Sequence, residues 1–184
     1  MIQREDALNL LRNYLKNEKL IQHSLAVEAI MRSMAEKAGE DVELWGIVGL
    51  LHDIDYEYTK DNPEKHTEIA AQLLQEMLPS EGIDAIRSHN YTHTNQVPIT
   101  ALDRALIAAD AVSGLIIATA LITPSKKLSD LKTDTLINKF KDKSFAARCD
   151  RKRIQLCTDV GFDVESFLDL SLKALKKISD RLDL

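Results

Sequence analysis

Two cysteines, four prolines, six glycines, one Trp, four Tyr and four Phe are few for 184 residues. Cys149 and Cys157 match no zinc or redox spacing, which excludes a disulfide scaffold and fits a reducing, cytoplasmic setting. Scarce glycine and proline, with no sustained period-two alternation, argue against strands. Positive charge is not in excess: 24 Lys and Arg stand against 29 Asp and Glu, a formal net charge of −5. That balance disfavours general nucleic-acid binding, so no nucleic-acid partner is expected. The N-terminal stretch MIQREDALNLL has early charges and no apolar run after them, unlike a secretory signal.

What is present is helical periodicity. The length suits one domain over residues 1–184 with a core large enough to need no staples. Leu8, Leu11 and Leu15 form a first apolar stripe; Leu20, Val27, Ile30, Met31 and Met34 form a second that ends near Gly39. Asp41 suits the N-cap of a third helix running to His52. Asn62–His66 reads as the start of a helix with Pro63 in its first turn, carried by Ile69, Ala70, Leu73, Leu74 and Met77 to Pro79. Ser80 caps a short helix to about His89, and Asn90–Pro98 reads as loop. Thr100 opens an apolar helix to Thr123, read as buried on all sides rather than membrane-spanning because Asp110 interrupts it. Two or three helices fill residues 128–182. The expectation is an all-α bundle of about eight or nine helices.

The polar residues inside these apolar patterns demand a reason. The run from Trp45 to Leu51 stops at His52-Asp53, and Asp110 is the one charge in Ala105–Ile122. A carboxylate in a dry helix costs several kcal/mol or takes a proton. The chain has only five histidines. His23 falls on the stripe of Leu20 and Val27, His66 on that of Ile69 and Leu73, and His89 three residues after Ile86; only His93 sits where no pattern fixes its direction. Any one of them reads equally as a core histidine bonded to backbone. Together they point to a shared divalent cation, for which imidazole and carboxylate are ligands and to which each helix of a bundle contributes one or two groups.

The ordered set His23, His52-Asp53 and Asp110 resembles the H…HD…D signature of the HD-domain superfamily of metal-dependent phosphohydrolases, over about residues 18–122. The resemblance implies a helical bundle in which His23, His52, Asp53 and Asp110 hold metal. His66 and His89 stand where some branches carry ligands for a second ion, with Asp53 then bridging. The sequence departs from the best-known two-metal pattern in having His89-Asn90 instead of paired histidines. It also lacks a Gly-Tyr-Pro motif and reads His-Asp-Ile-Asp, which argues against cyclic di-GMP as substrate.

One or two divalent transition ions are therefore expected, with Fe, Mn, Ni and Zn all compatible. Asp53 and His66 are the expected catalytic groups; if only one ion binds, His66 or His89 moves a proton or holds phosphate. Residues 139–153, KFKDKSFAARCDRKR, set seven basic side chains against two acids, and KDKSFAARCDR within them also resembles a segment after the final Asp in uncharacterised HD-domain proteins. Lys141, Arg148 and Arg151 are the expected phosphate grips. The expected activity is metal-dependent hydrolysis of a phosphate ester, mono- or diester, in a small phosphorylated molecule such as a nucleotide, in the cytoplasm and without a membrane partner. The alternative is a non-catalytic module of the same fold that binds a nucleotide or metal and signals.

Overall fold

The computed structural model describes all 184 residues and contains no strand. Twelve α-helical segments follow one another: α1 (Arg4–Tyr14), α2 (Glu18–Ala38), α3 (Val42–Leu51), α4 (Tyr56–Thr59), α5 (Glu68–Leu74), α6 (Ser80–His89), α7 (Tyr91–Thr94), α8 (Ala101–Ile122), α9 (Thr133–Lys141), α10 (Arg151–Gln155), α11 (Val164–Lys176) and α12 (Ser179–Leu182). Eight of them run seven residues or more and account for the expected helices; the others are single turns.

Local chemistry sets the ends. Asn17 accepts from the Lys19 amide at the start of α2, and Gly39 closes that helix at φ +77°, a conformation glycine adopts at little steric cost. Asp41 accepts from the amides of Glu43 and Leu44. Thr100 and Asp103 form a reciprocal capping box on α8.

Packing builds a core of 46 buried hydrophobic residues that runs without a break from Ala7 in α1 to Leu182 in α12. The α2–α3 pair is its tightest part. A Cβ on Gly46 would lie 2.6 Å from Arg32 Nε, and one on Gly49 would lie 2.9 Å from Met31 Cγ and 3.1 Å from the Val27 carbonyl oxygen, so both glycines are fixed by close helix approach. Buried Glu28 accepts from Arg4 at 2.6 and 2.8 Å and from Arg32 at 2.9 Å, tying α1 to α2, while Arg32 reaches on to Glu43 of α3. The second long helix, α8, packs against α2, α6 and α10.

Three expectations are corrected. The helix read over residues 62–79 is shorter: Pro63–Thr67 is a run of turns, Thr67 sits at φ +77°, α5 ends at Leu74, and Ile69 is exposed. The segment Asn90–Pro98 contains the helical turn α7. Although α8 is long and apolar enough to cross a membrane, it is not buried on all sides: 61% of its most apolar window is buried, while Gly114, Leu121 and Ile122 are exposed.

Candidate metal centre

Four imidazoles and two carboxylates meet beside the middle of α8. His23 arrives from α2, and His52-Asp53 from the end of α3. His66 comes from the turns before α5, His89 from the last residue of α6, and Asp110 from the middle of α8. Asp53 is the hub. Its Oδ2 lies 3.6 Å from His23 Nε2 and 3.5 Å from His52 Nε2; its Oδ1 lies 3.3 Å from His66 Nε2 and 3.6 Å from His89 Nε2. Asp110 faces it across the site, with Oδ1 3.2 Å from His23 Nε2 and Oδ2 4.0 Å from His89 Nε2. Two triads result, His23–His52–Asp53 and Asp53–His66–His89, the ligand atoms of each lying within 4.8 Å of one another.

Each ring is aimed by its other nitrogen, except one. His52 Nδ1 lies 2.8 Å from the Gly49 carbonyl oxygen, which only accepts, so the proton is on Nδ1 and the Nε2 lone pair points inward. The Ser113 hydroxyl donates to the Asp110 carbonyl oxygen at 2.8 Å and so accepts from His23 Nδ1 at 3.1 Å. Asp55 accepts from His66 Nδ1 at 2.8 Å and from the amides of Thr67 and Ala70. His89 Nδ1 is buried without a partner. This pattern, one ring nitrogen fixed by backbone, hydroxyl or carboxylate while Nε2 faces the centre, is that of metal-binding histidines.

The electrostatics ask for positive charge. Burial opposes ionisation of every imidazole. It prevails at His52, whose pKa falls, and at His89, which burial and the neighbouring His52 push down to about 3. At His66 burial is outweighed by hydrogen bonds to Asp53 and Asp55, and the pKa rises to about 9. At His23 burial is outweighed by Asp110, and the shift is upward. Burial also opposes charge on the two carboxylates. Asp53 is nevertheless held well below the usual range by His52 and His66, and Asp110 by His23 and Arg153. His52 Nε2 is buried with no protein donor to satisfy it. An unfilled lone pair beside two ionised carboxylates fits a divalent cation of the borderline, nitrogen-and-oxygen kind.

The basic segment behaves differently from expectation. Arg151 is no phosphate grip: its guanidinium lies among the carbonyl oxygens of Lys139, Phe140, Asp142, Phe145, Ala146 and Cys149 at 2.6–3.4 Å. Lys141 pairs with Glu165 of α11 at 3.3 Å and lines neither cavity at the centre. Arg148 is exposed and lies beside the His23–Asp110 side of the site. The cation on the centre is Arg153, whose Nη2 donates to Asp110 Oδ2 and to the His89 carbonyl oxygen, both at 3.0 Å. Sequence reasoning counted Arg153 among the basic residues without singling it out. Nor does the sequence show that Asp55 is more than a solvated acid, or that Asn90 donates to the carbonyl oxygens of Pro63 and His66, fastening the turn that carries His66. No periodic signal marks any of these three. Glu57, two residues after Asp55, accepts from the amides of Lys16 and Asn17 instead.

Above the centre opens a cleft of about 460 Å³, bordered by Tyr56, Lys60, His93 and Arg153. A family model described as the HD domain matches residues 20–115, more than half of the chain. The chain belongs to the HD domain family. Curated relatives similar to this HD domain are named Ribonuclease Y. That of Desulfotalea psychrophila is 34% identical over 140 residues, which are 73% of this chain and 26% of the relative. That of Aquifex aeolicus is 30% identical over 172 residues, 91% of this chain and 30% of the relative. That of Enterococcus faecalis is 32% identical over 174 residues, 90% of this chain and 32% of the relative. The chain thus spans about a third or less of the length of these relatives. No solved structure is a match.

Family and relatives support a metal-dependent hydrolase in general. They overturn the expectation of a small phosphorylated substrate and no nucleic-acid partner, since the relatives are by name ribonucleases. The physical error was to let a net charge of −5, an average over the whole surface, stand for the local field, which is what a phosphate backbone meets.

Proposed function

We propose that this HD domain hydrolyses phosphodiester bonds of RNA at a centre where Asp53, with the four histidines and Asp110, would hold two divalent ions. The observation that carries the reading is the division of the Asp53 carboxylate, Oδ2 toward His23 and His52 and Oδ1 toward His66 and His89. In this reading His23, His52 and Asp110 complete one ligand set and His66 and His89 the other, so His66 is a ligand rather than a proton carrier. RNA as substrate rests on the ribonuclease relatives.

Ions bound here supply Lewis-acid polarisation of a phosphoryl oxygen and make water nucleophilic near neutral pH. The side chains do the rest. The Gly49 carbonyl, Ser113 and Asp55 keep His52, His23 and His66 in the orientation that presents Nε2. Asp53 stays ionised at neutral pH and so keeps both oxygens available. Arg153, tethered to Asp110 at 3.0 Å, offers a fixed cation to the substrate phosphate. His52 and His89 close the floor against bulk water, at 0% and 6% exposure.

The test is cleavage of single-stranded RNA by the purified chain loaded with Mn²⁺, Fe²⁺, Ni²⁺ or Zn²⁺. Cleavage that stops on chelation and is lost in a folded Asp53→Asn variant is the expected result. RNA cleavage by Asp53→Asn at the wild-type rate contradicts the reading.

A further inference from the structure

The cleft over the centre is not the only cavity that reaches it. A second, of about 370 Å³, lies on the other side of Asp110 and Arg153, between α8 and residues 146–153; the two cavities have only His23, Asp110 and Arg153 in common. Its volume falls within the range of small-ligand pockets, about 300–1,000 Å³.

Several features show that this cavity is held open. Gly114 forms part of its wall in the middle of the 22-residue α8, where glycine is less favourable than alanine. Gly46 and Gly49 have a packing reason; Gly114 has none, since a Cβ there would meet nothing within 4 Å. A side chain at this position would project into the groove. The opposite wall is fastened in place. The Cys149 thiol donates to the Ala111 carbonyl oxygen at 2.8 Å, and Arg151 gathers the carbonyls of residues 139–149 around its guanidinium.

The lining chemistry suits an anion. Arg148 is exposed at the wall and Arg153 stands at the junction, its Nε buried with no partner. Of the two acids that line the cavity, Asp110 is paired with Arg153, and Asp150 accepts from the Lys152 amide at the start of α10.

We propose that this second cavity is a subsite for the nucleotide unit next to the scissile phosphodiester, its phosphate gripped by Arg148, while Arg153 at the junction faces the scissile one. The strand then enters through one cavity and leaves through the other, and the cleaved linkage lies where they meet. This inference rests on the RNA reading above.

Two substrates separate the inference from that reading. Bis(p-nitrophenyl) phosphate is a diester with no further phosphate unit and reports on the centre alone; single-stranded RNA reports on the centre and the groove. Gly114→Leu fills the cavity from a helix position with open space around it, and its melting temperature checks that it folds. It is expected to hydrolyse the small diester at the wild-type rate while kcat/KM for RNA falls about tenfold. Gly114→Ala is expected to lose less, and Arg148→Gln to lower kcat/KM for RNA through KM. RNA cleavage by Gly114→Leu and Arg148→Gln equal to wild type overturns the subsite and leaves the RNA reading standing. Wild-type protein that hydrolyses the small diester but leaves RNA intact overturns the RNA reading and the subsite with it.

Discussion

His52 donates its Nδ1 proton to the carbonyl oxygen of Gly49 at 2.8 Å, and the same contact turns its buried Nε2 toward Asp53. The ring is therefore set by the backbone of the helix that precedes it. That backbone is in turn set by how closely α3 lies on α2, because Gly49 meets Met31 and the Val27 and Glu28 backbone with no space for a methyl group.

Gly49→Ala should cost about 1–3 kcal/mol by overpacking, since two of the atoms it would strike are backbone. Gly114→Ala should raise stability by about 0.5–1 kcal/mol. Urea denaturation of the two variants measures both. Equal stability of Gly49→Ala and wild type would show that α2 and α3 are not as close as described.

Asp55 shares with Asp53 the control of His66 protonation in metal-free protein. Burial lowers the pKa of this ring, but Asp53 and Asp55 raise it to about 9. A group raised in the folded state stabilises it fully below the unfolded value of about 6.5, and that contribution is lost as pH climbs through about 9. Asp55→Asn should lower the His66 pKa, read by NMR titration, and flatten the loss of stability between neutral and alkaline pH. It should also weaken ion binding about 10–100-fold, as removal of a group that orients a metal ligand does. An unchanged His66 titration would separate Asp55 from this role.

Metal removal should destabilise the loaded protein. A ligand that binds only the folded state, present at roughly a hundredfold over its Kd, contributes about 2.7 kcal/mol, which for a chain of this size is about 5–10 °C of melting temperature. Differential scanning calorimetry before and after chelation measures it. An identical melting temperature for loaded and stripped protein would argue against ions at a buried centre.

Arg151→Lys should lower stability by about 2–3 kcal/mol, because an ammonium has three donors and no planar fork to match the surrounding carbonyls. Metal content should not change. A variant with wild-type stability and impaired RNA cleavage would return Arg151 to the substrate.

What the sequence makes legible here is whatever is local. Asp41, Thr100 and Gly39 mark helix ends by their own chemistry, and the structure uses each as expected. His23, His52-Asp53 and Asp110 stand out because they interrupt apolar patterns, and α2, α3 and α8 bring them together. The rest depends on non-helical backbone and on contacts distant in sequence. His66 reaches the centre from turns that end in a positive φ at Thr67, a geometry that period 3.6 does not encode. Seven cations crowd residues 139–153, but only the folded path shows Arg151 turned toward carbonyls and Arg153 turned toward Asp110.

The most direct test is the number of ions held by wild-type protein and by Asp53→Ala, from anomalous diffraction together with elemental analysis. Two ions per wild-type chain are expected, one against His23 and His52 and the other against His66 and His89, with loss of both when the Asp53 carboxylate is removed. Full occupancy in Asp53→Ala, or ions bound in the wild type away from these histidines, would contradict this expectation.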